Sequence, residues 1–548
     1  MMIMCLNQYG LAQIYYAKII GSTENETKTI DSIGYSKKNN DFKKNIDTYN
    51  DLTISLQKIG YLETTLIQNR KTNDSVFEYQ IKLGRQTKWL YIYIGANDLY
   101  KTKMGVEIKN DTVALPFGES QAFLKKYLSL LENDGFATSS VQLRNFKNIK
   151  NKWSADLEVS NHKQRFLDEI VINGFEKFPK GQLKNIIKTH QNKVFKQNVL
   201  KKIQSDFNQF PYVVQTKKPA VLFTIDSTKV YVYLQKAKSN RFDGLIGFVS
   251  DEKNKVSVTG FLDIMLQNTL KMGEKFSVLW KSETAFQKTF ETNLDIPYIF
   301  GSKFAIKTAL NIYKQDSIFQ NTKTNIGIGY CIDLNTRLYL GRQSTSSVAI
   351  QKQPSALISN YENQFAVFDF QFEKPNVGHP LFPEKTRLNL KIGAGNSISK
   401  SKKNEQIFIN FIAKHEYFWQ KRNSIEIKAQ FNYLKSDQYL ENELYRFGGI
   451  NSVRGFVENS LSSKSINCFS MDYRYLMAEN LYFHTVSDYG FFENKSNPKN
   501  NSLLGLGFGF GLLTKNGLLN LVYANGSVKN QEIQLSNSIV QIKFQSSF

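Results

Sequence analysis

At 548 residues the chain is too long for one ordinary core, so it divides into two or more domains. Lys and Arg number 71 against 48 Asp and Glu, a surplus of 23 positive charges, but the lysines are scattered among asparagines and form no dense patch interleaved with aromatics, which argues against a nucleic-acid partner. No run reaches the roughly 18 to 20 apolar residues of a spanning helix, so membrane residence requires a closed barrel.

Forty-one Phe and 28 Tyr against 10 Pro favour strands, and the same aromatics furnish membrane-interface girdles. Three cysteines (Cys5, Cys331, Cys468) and five scattered histidines (His162, His190, His379, His415, His484) supply neither a disulfide framework nor metal-ligand spacing. No metal or other cofactor is therefore expected. G-x-S-x-G, H-E-x-x-H and a paired-carboxylate cleft are also missing, so the chain does not read as an enzyme.

In chain order, residues 1–12 resemble the back half of a secretory signal, with an apolar stretch and a plausible cut after Ala12 but no basic leader; an ordinary first strand is the alternative. Cys5 lacks the preceding small residue of a lipid-anchored signal. Residues 13–95 form a first unit. Ala17–Ile20 and Thr29–Tyr35 are expected to be extended, a helix carrying Leu52, Leu56 and Ile59 on one face stops at Gly60, and Val76–Leu83 and Trp89–Ile94 alternate as a hairpin.

Residues 96–164 repeat the plan, with a helix at Gly118–Leu131 and strands at Val141–Phe146 and Trp153–Val159. Residues 165–239 repeat it again, with a strand and turn at Leu167–Phe175, helices at Gly181–Ile187 and Val194–Phe207, and a hairpin at Ala220–Ile225 and Val230–Leu234. A period of about 75 residues is too long for a common solenoid and points to small domains in series. With Ile172-Asn173-Gly174 early and Phe207-Asn208-Gln209-Phe210-Pro211-Tyr212-Val213 at the helix exit, the third unit resembles a polypeptide-transport-associated (POTRA) domain, and the first two resemble it more weakly. A generic βαββ module is the plainer reading of those two. Either way, such modules leave strand edges to which an unfolded polypeptide could add.

Across 240–548 the helical period vanishes. Sixteen alternating segments run from 241–250 to 536–548, an even number of about the length a tilted membrane strand needs. Leu504, Leu506, Phe508, Phe510 and Leu512 share one face, while Gly505, Gly507, Gly509 and Gly511 share the other; a phosphate-binding glycine loop would need a strand-turn-helix instead. Ile425, Ile427, Ala429, Phe431 and Tyr433 lie opposite Glu426, Lys428 and Gln430. The last segment puts Val540, Ile542, Phe544 and Phe548 on the apolar face, and a terminal Phe there looks like the barrel signal of bacterial outer-membrane proteins. A soluble sandwich also alternates, but without so many consecutive hairpins.

The link after the eleventh segment, 437–465, holds Arg446-Phe447-Gly448-Gly449-Ile450-Asn451-Ser452-Val453-Arg454-Gly455-Phe456. If the first barrel strand leads away from the modules, this link is extracellular. A guanidinium carried into a barrel needs carboxylates to meet it. Asp472 and Asp488 lie on the lumen parity of the twelfth and thirteenth segments, and an Arg–carboxylate fork to them would pin the loop. Val453-Arg454-Gly455-Phe456 after Phe447-Gly448-Gly449 resembles the signature of the BamA/TamA and two-partner-secretion superfamily, also labelled bacterial surface antigen. His379-Pro380-Leu381-Phe382-Pro383 is similar to another element of that family, although Glu384-Lys385-Thr386 departs from its usual ending.

The resemblance implies POTRA-like α+β units followed by a sixteen-stranded transmembrane antiparallel barrel, resident in the bacterial outer membrane with the POTRA units in the periplasm. It implies an insertase or translocation factor, with Arg454, Asp472 and Asp488 as a loop latch. Implied partners are unfolded outer-membrane or secreted clients, periplasmic or lipoprotein accessory subunits, and outer-membrane lipid and lipopolysaccharide. A two-partner-secretion exporter and, from another class, a passive porin are the alternatives. The first barrel strand, interrupted by Gly244 and Gly247, further suggests a seam able to open sideways.

Overall fold

The computed structural model describes residues 14–548 apart from 96–99, 151, 161–162, 251–255, 284–286, 352–356, 494–500, 516 and 530–537. The signal-like segment 1–12 lies outside the described residues. The chain divides into two compact units: one ends at Leu167 and includes 192–198 and 223–228, and the other holds 168–191, 199–222 and 229–548.

In the first module, β1 (Tyr15–Gly21), α1 (Glu24–Ile33), β2 (Lys38–Asn39), α2 (Phe42–Lys58), β3 (Thr65–Lys71) and β4 (Val76–Lys82) form a sheet ordered β2-β1-β4-β3. Ile19, Ile30, Leu52, Leu56, Tyr79, Ile81 and Leu83 make its core. Two expectations fail here. Thr29–Tyr35 is mostly the end of a helix rather than a strand, because Thr23 caps α1 by accepting from Glu26 N–H while the Glu26 carboxylate accepts from Ser22 N–H at 2.8 Å. Those two bonds satisfy helix-start donors and override the β-branched residues that follow. Nor do Val76–Leu83 and Trp89–Ile94 pair as a hairpin. Instead β4 lies between β1, which it meets in parallel, and β3, while Trp89 opens the next sheet.

That second sheet is ordered β6-β7-β5-β9-β8, from β5 (Trp89–Tyr93), β6 (Ile108–Lys109), β7 (Thr112–Pro116), β8 (Ser140–Ile149) and β9 (Lys152–Ser160), with α3 (Ser120–Asn133) before its last two strands. The third module has β10 (Glu169–Asn173), α4 (Lys180–His190), α5 (Gln197–Asn208), β11 (Val213–Phe223) and β12 (Thr228–Lys236) in the order β10-β12-β11. In all three, the opening strand pairs in parallel with the closing one (β1 with β4, β5 with β9, β10 with β12), so one plan is used three times.

On β4, Glu78 faces Lys18 of β1 at 2.9 Å and Arg70 of β3 at 2.7 Å. Hydrogen bonds from Lys18 and then Arg70 hold its carboxyl below the usual range, outweighing the burial that opposes them. A lowered folded value stabilises the sheet above the ordinary carboxyl pKa, 4.5, and that stability is lost as pH falls through the folded value. Lys18 and Arg70 are well exposed, so the effect is expected to stay under about 1 kcal/mol. The protection of β4 amides, taken as the intrinsic exchange rate at each pH divided by the observed one, should fall between pH 6 and pH 3, and Glu78→Gln should flatten that dependence.

The barrel strands are β13 (Arg241–Ser250), β14 (Val256–Gln267), β15 (Lys275–Glu283), β16 (Gln287–Ile296), β17 (Phe304–Gln315), β18 (Phe319–Cys331), β19 (Thr336–Ala349), β20 (Tyr361–Pro375), β21 (Glu384–Ser399), β22 (Lys402–Phe418) and β23 (Asn423–Lys435). After a short ribbon of β24 (Tyr445–Phe447) and β25 (Leu461–Ser463) come β26 (Ser465–Ala478), β27 (Leu481–Phe492), β28 (Asn501–Leu513), β29 (Gly517–Val528) and β30 (Ile539–Ser547). Leaving out the ribbon, sixteen antiparallel neighbours close on themselves, so the expected fold class of α+β modules followed by a sixteen-stranded barrel is met. The strands β20, β21 and β22 reach 15, 16 and 17 residues, longer than the expected ten and than a membrane crossing requires.

Alternation sorts the side chains as expected. Leu506, Phe508, Phe510, Ile427, Val540, Ile542 and Phe544 are exposed on the outside, where an apolar band suits lipid. Inside lie Asp369, Glu416, Asp472 and Asp488, all buried. Closure is uneven. Strand β13 pairs with β14 along Arg241–Ser250, but among the described residues its register with β30 is limited to Arg241–Ser547 and Phe242–Ser546, continued by Phe548 N–H donating to the Asn240 carbonyl. Around the module end of the barrel, α4 meets the turn between β16 and β17, where Asn185 Nδ2 donates to the Gly301 and Ser302 carbonyls at 3.4 and 3.3 Å.

Candidate functional site: the arginine loop inside the barrel

The loop between β23 and β26 is closed at its base by the pairing of β24 with β25. Beyond that ribbon the backbone must turn sharply, and Gly448, Gly449 and Gly455 take φ of +105°, +92° and +88°, where a side chain would be strained. The turn is held by Gly448 N–H donating to Ser452 Oγ at 2.8 Å and Gly449 N–H to the Val453 carbonyl at 3.1 Å. Phe447 and Val453, both buried, pack with Ile466, Cys468, Phe492 and Leu503 of the barrel wall, and Phe456 borders the cluster. Apolar burial on either side thus fixes where Arg454 projects.

Arg454 is itself buried, at 8% exposure, beside Asp472 at 4% and Asp488 at 1%. Its Nη1 and Nη2 donate to the two oxygens of Asp472 at 2.7 and 2.6 Å, while Nε and Nη2 donate to those of Asp488 at 2.8 and 2.5 Å. The Arg454 backbone N–H adds a bond to Asp488 Oδ2 at 2.7 Å. Both carboxylates are forked by one guanidinium, a geometry lysine cannot reproduce. Nearby, His484 Nδ1 lies 3.8 Å from Asp472, and Lys428 Nζ donates to the Asn451 carbonyl at 2.5 Å.

Every residue expected at the loop is therefore brought together: Phe447, Gly448, Gly449, Val453, Arg454, Gly455 and Phe456 with Asp472 and Asp488. Phe548 lies apart, exposed, with its N–H donating to the Asn240 carbonyl at 3.0 Å beside the seam.

Sequence reasoning missed the floor of the seat. A Cβ on Gly505 of β28 would strike the Arg454 carbonyl, and one on Gly526 of β29 would strike that of Gly455. The glycine face of β28 was visible in the sequence as a strict period of two, which pointed to close approach without naming what approaches. Also missed was the reach of the loop. Asn442 bonds to Ser347 Oγ and the Ser359 carbonyl at 2.7 and 2.8 Å, the Arg446 guanidinium lies over the rings of Phe319 and Tyr313, and Glu458 pairs with Lys281 of β15 at 2.7 Å. One loop thus ties β15, β17–β19 and β26–β29 together across the lumen.

A second charged ladder sits nearer the module end. Arg474 reaches Glu416 at 2.6 Å and Glu426 at 2.8 Å, and Lys414 reaches Glu426 at 2.7 Å. Phe382, from the His379–Pro383 link, packs edge-on against Tyr482 at 4.8 Å and lies under the Arg474 guanidinium at 5.1 Å. Glu384, the residue that follows this link, holds Arg387 at 2.6 Å and Lys414 at 3.4 Å.

No protein-family model matches the sequence. No curated protein matches it either. Among solved structures, CdiB from Escherichia coli aligns at 12% identity over 96% of this chain and 98% of its own, with a TM-score of 0.51. For CdiB from Acinetobacter baumannii the figures are 13%, 91%, 97% and 0.50. BamA from Haemophilus ducreyi lacking POTRA domains 1–3 aligns at 13% identity over 83% of this chain and 99% of its own, with a TM-score of 0.49. With its α+β modules and closed sixteen-stranded barrel, the chain shares the fold of the two CdiB proteins.

Proposed function

We propose that this protein is a non-enzymatic outer-membrane insertase or translocase of the BamA/TamA type. It resides in the outer membrane of a bacterial cell with its modules in the periplasm, where they receive unfolded outer-membrane or secreted polypeptides, with or without accessory subunits. The observation that carries this reading is the seam: among the described residues β13 and β30 pair at two positions, so the remaining edge of each strand is a template for an incoming one. The arginine loop holds the rest of the barrel in register while the seam parts, and outer-membrane lipid borders the gap. No bond in the client is made or broken, so the activity needs neither triad nor metal.

Export of a client through the lumen, as in two-partner secretion, is the second reading. It is favoured by a cavity of about 830 Å³ at the module end of the barrel. A passive porin fits less well, because the loop crosses the lumen and three modules would have no task. Depletion followed by quantification of outer-membrane proteins separates the three. Several barrel proteins should disappear together if the protein inserts them. Loss of one secreted protein from an otherwise intact membrane identifies an exporter, and a steady conductance unchanged by deleting residues 13–239 identifies a porin.

A further inference from the structure

The same cavity carries a charge imbalance. Its wall is built from Phe210, Pro211 and Tyr212 of the third module, the 380–383 link, and lumen-facing residues of the barrel. Most of its charged groups are already committed. Asp295 is held by Arg337 at 2.7 Å and by Tyr339 at 2.9 Å, Lys307 by Asp369 at 2.8 Å, and Glu384 by Arg387 and Lys414. Glu274 accepts from Leu270 and Met272 N–H at 2.6 and 3.1 Å.

Four lining cations have no carboxylate within ion-pair distance among the described residues: Lys238, Arg241, Lys275 and Lys374. One acid of the wall, Glu373, also has no cation within ion-pair distance among the described residues, Lys275 being the leading charge that acts on it. Glu274 keeps its negative charge, since its partners are neutral N–H groups, so the vestibule offers about two net positive charges in a confined space, where low-dielectric walls focus the field on whatever enters.

A strand edge leads to it. Tyr212 belongs to the wall, β11 starts at the next residue, and β11 is the outer strand of the sheet ordered β10-β12-β11. An extended polypeptide paired with β11 would have one end at the cavity.

We propose that this vestibule receives extended client segments that carry carboxylates at alternate positions, a selectivity that rests on the proposed handling of unfolded clients. Pairing with β11 supplies register, and the four uncommitted cations supply the preference for acidic over neutral segments.

The test uses the full chain in nanodiscs and two fluorescent peptides of equal length and strand propensity, one with Glu and one with Gln at every second position. The Glu peptide should bind at least tenfold more tightly at low salt and lose that advantage as salt rises. A Lys238→Gln, Arg241→Gln, Lys275→Gln, Lys374→Gln variant should lose the advantage while binding the Gln peptide as before, with its folding confirmed by heat-modifiable migration.

Equal binding of both peptides, or an undiminished preference in the variant, overturns the proposal. So does displacement of the Glu peptide by inorganic phosphate or by vesicles containing phosphatidylglycerol at concentrations comparable to its own, which would make the site one for phosphate groups. Depletion reports on client handling whatever this assay gives, so the two failures are distinguishable.

Discussion

An Arg454→Ala chain should reach the membrane in near-normal amount and fail to function there. The substitution leaves Asp472 and Asp488 buried side by side without the guanidinium that forks both. Removing one partner of a buried ion pair costs about 3–5 kcal/mol, and here two acids are stranded. The sixteen-strand ladder does not depend on that contact, so the penalty falls on the docked loop, whose population should drop by more than a hundredfold at about 1.4 kcal/mol per decade.

Trypsin should then cut at Arg446 or Lys464 in intact cells, and complementation of a depleted strain should be lost. Arg454→Lys should recover little, since an ammonium cannot fork two carboxylates. Gly505→Val provides an independent check: it leaves all three charges in place but fills the floor against the Arg454 carbonyl, so it should expel the loop as well. Full activity of Arg454→Ala with a protease-resistant loop would remove the latch from the mechanism.

The contact of Arg454 with Asp472 and Asp488 could be found in the sequence because barrel physics leaves few choices. Once period-two alternation places Asp472 and Asp488 on the inner face of neighbouring strands, a glycine-rich link carrying one arginine has two obvious counter-charges. Strand positions were legible for the same reason, since lipid on one side and polar groups on the other force alternation throughout.

The modules were harder to read. Strand β3 is exposed along its whole length and so shows no alternation, while Thr29–Tyr35 looks β-prone unless the capping residues Thr23 and Glu26 are weighed first. The glycine floor, the Glu458–Lys281 pair and the four uncommitted cations were out of reach because each depends on which distant strand faces which. A weak seam was suggested by Gly244 and Gly247 on the first barrel strand, but the point at which its ladder stops was hidden, as strands β13 and β30 are long enough to pair fully.

That seam yields the second large expected effect. Introduced cysteines at Phe242 and Ser546, which pair in register, and at Gly244 and Phe544, where the same antiparallel register continues, should each abolish insertion when oxidised and restore it on reduction. Opposed residues of antiparallel strands lie about 4.5–5.5 Å apart at Cα, within the span a disulfide accepts, so the closed seam is not distorted at the first pair. The second pair tests more, because it lies where the backbone ladder has already ended: ready crosslinking there would mean that the strands approach without pairing.

If each ladder bond contributes about 1 kcal/mol net, the observed pairing restrains the edge by only a few kcal/mol, which an incoming strand can replace as it forms its own bonds. A disulfide removes that exchange. The control is Leu262→Cys with Trp280→Cys, an in-register pair on the long β14–β15 ladder, where a crosslink should leave activity above about half. Loss of activity at both places would implicate general stiffening of the wall, and retention at both would mean the client never passes between β13 and β30, leaving passage through the lumen.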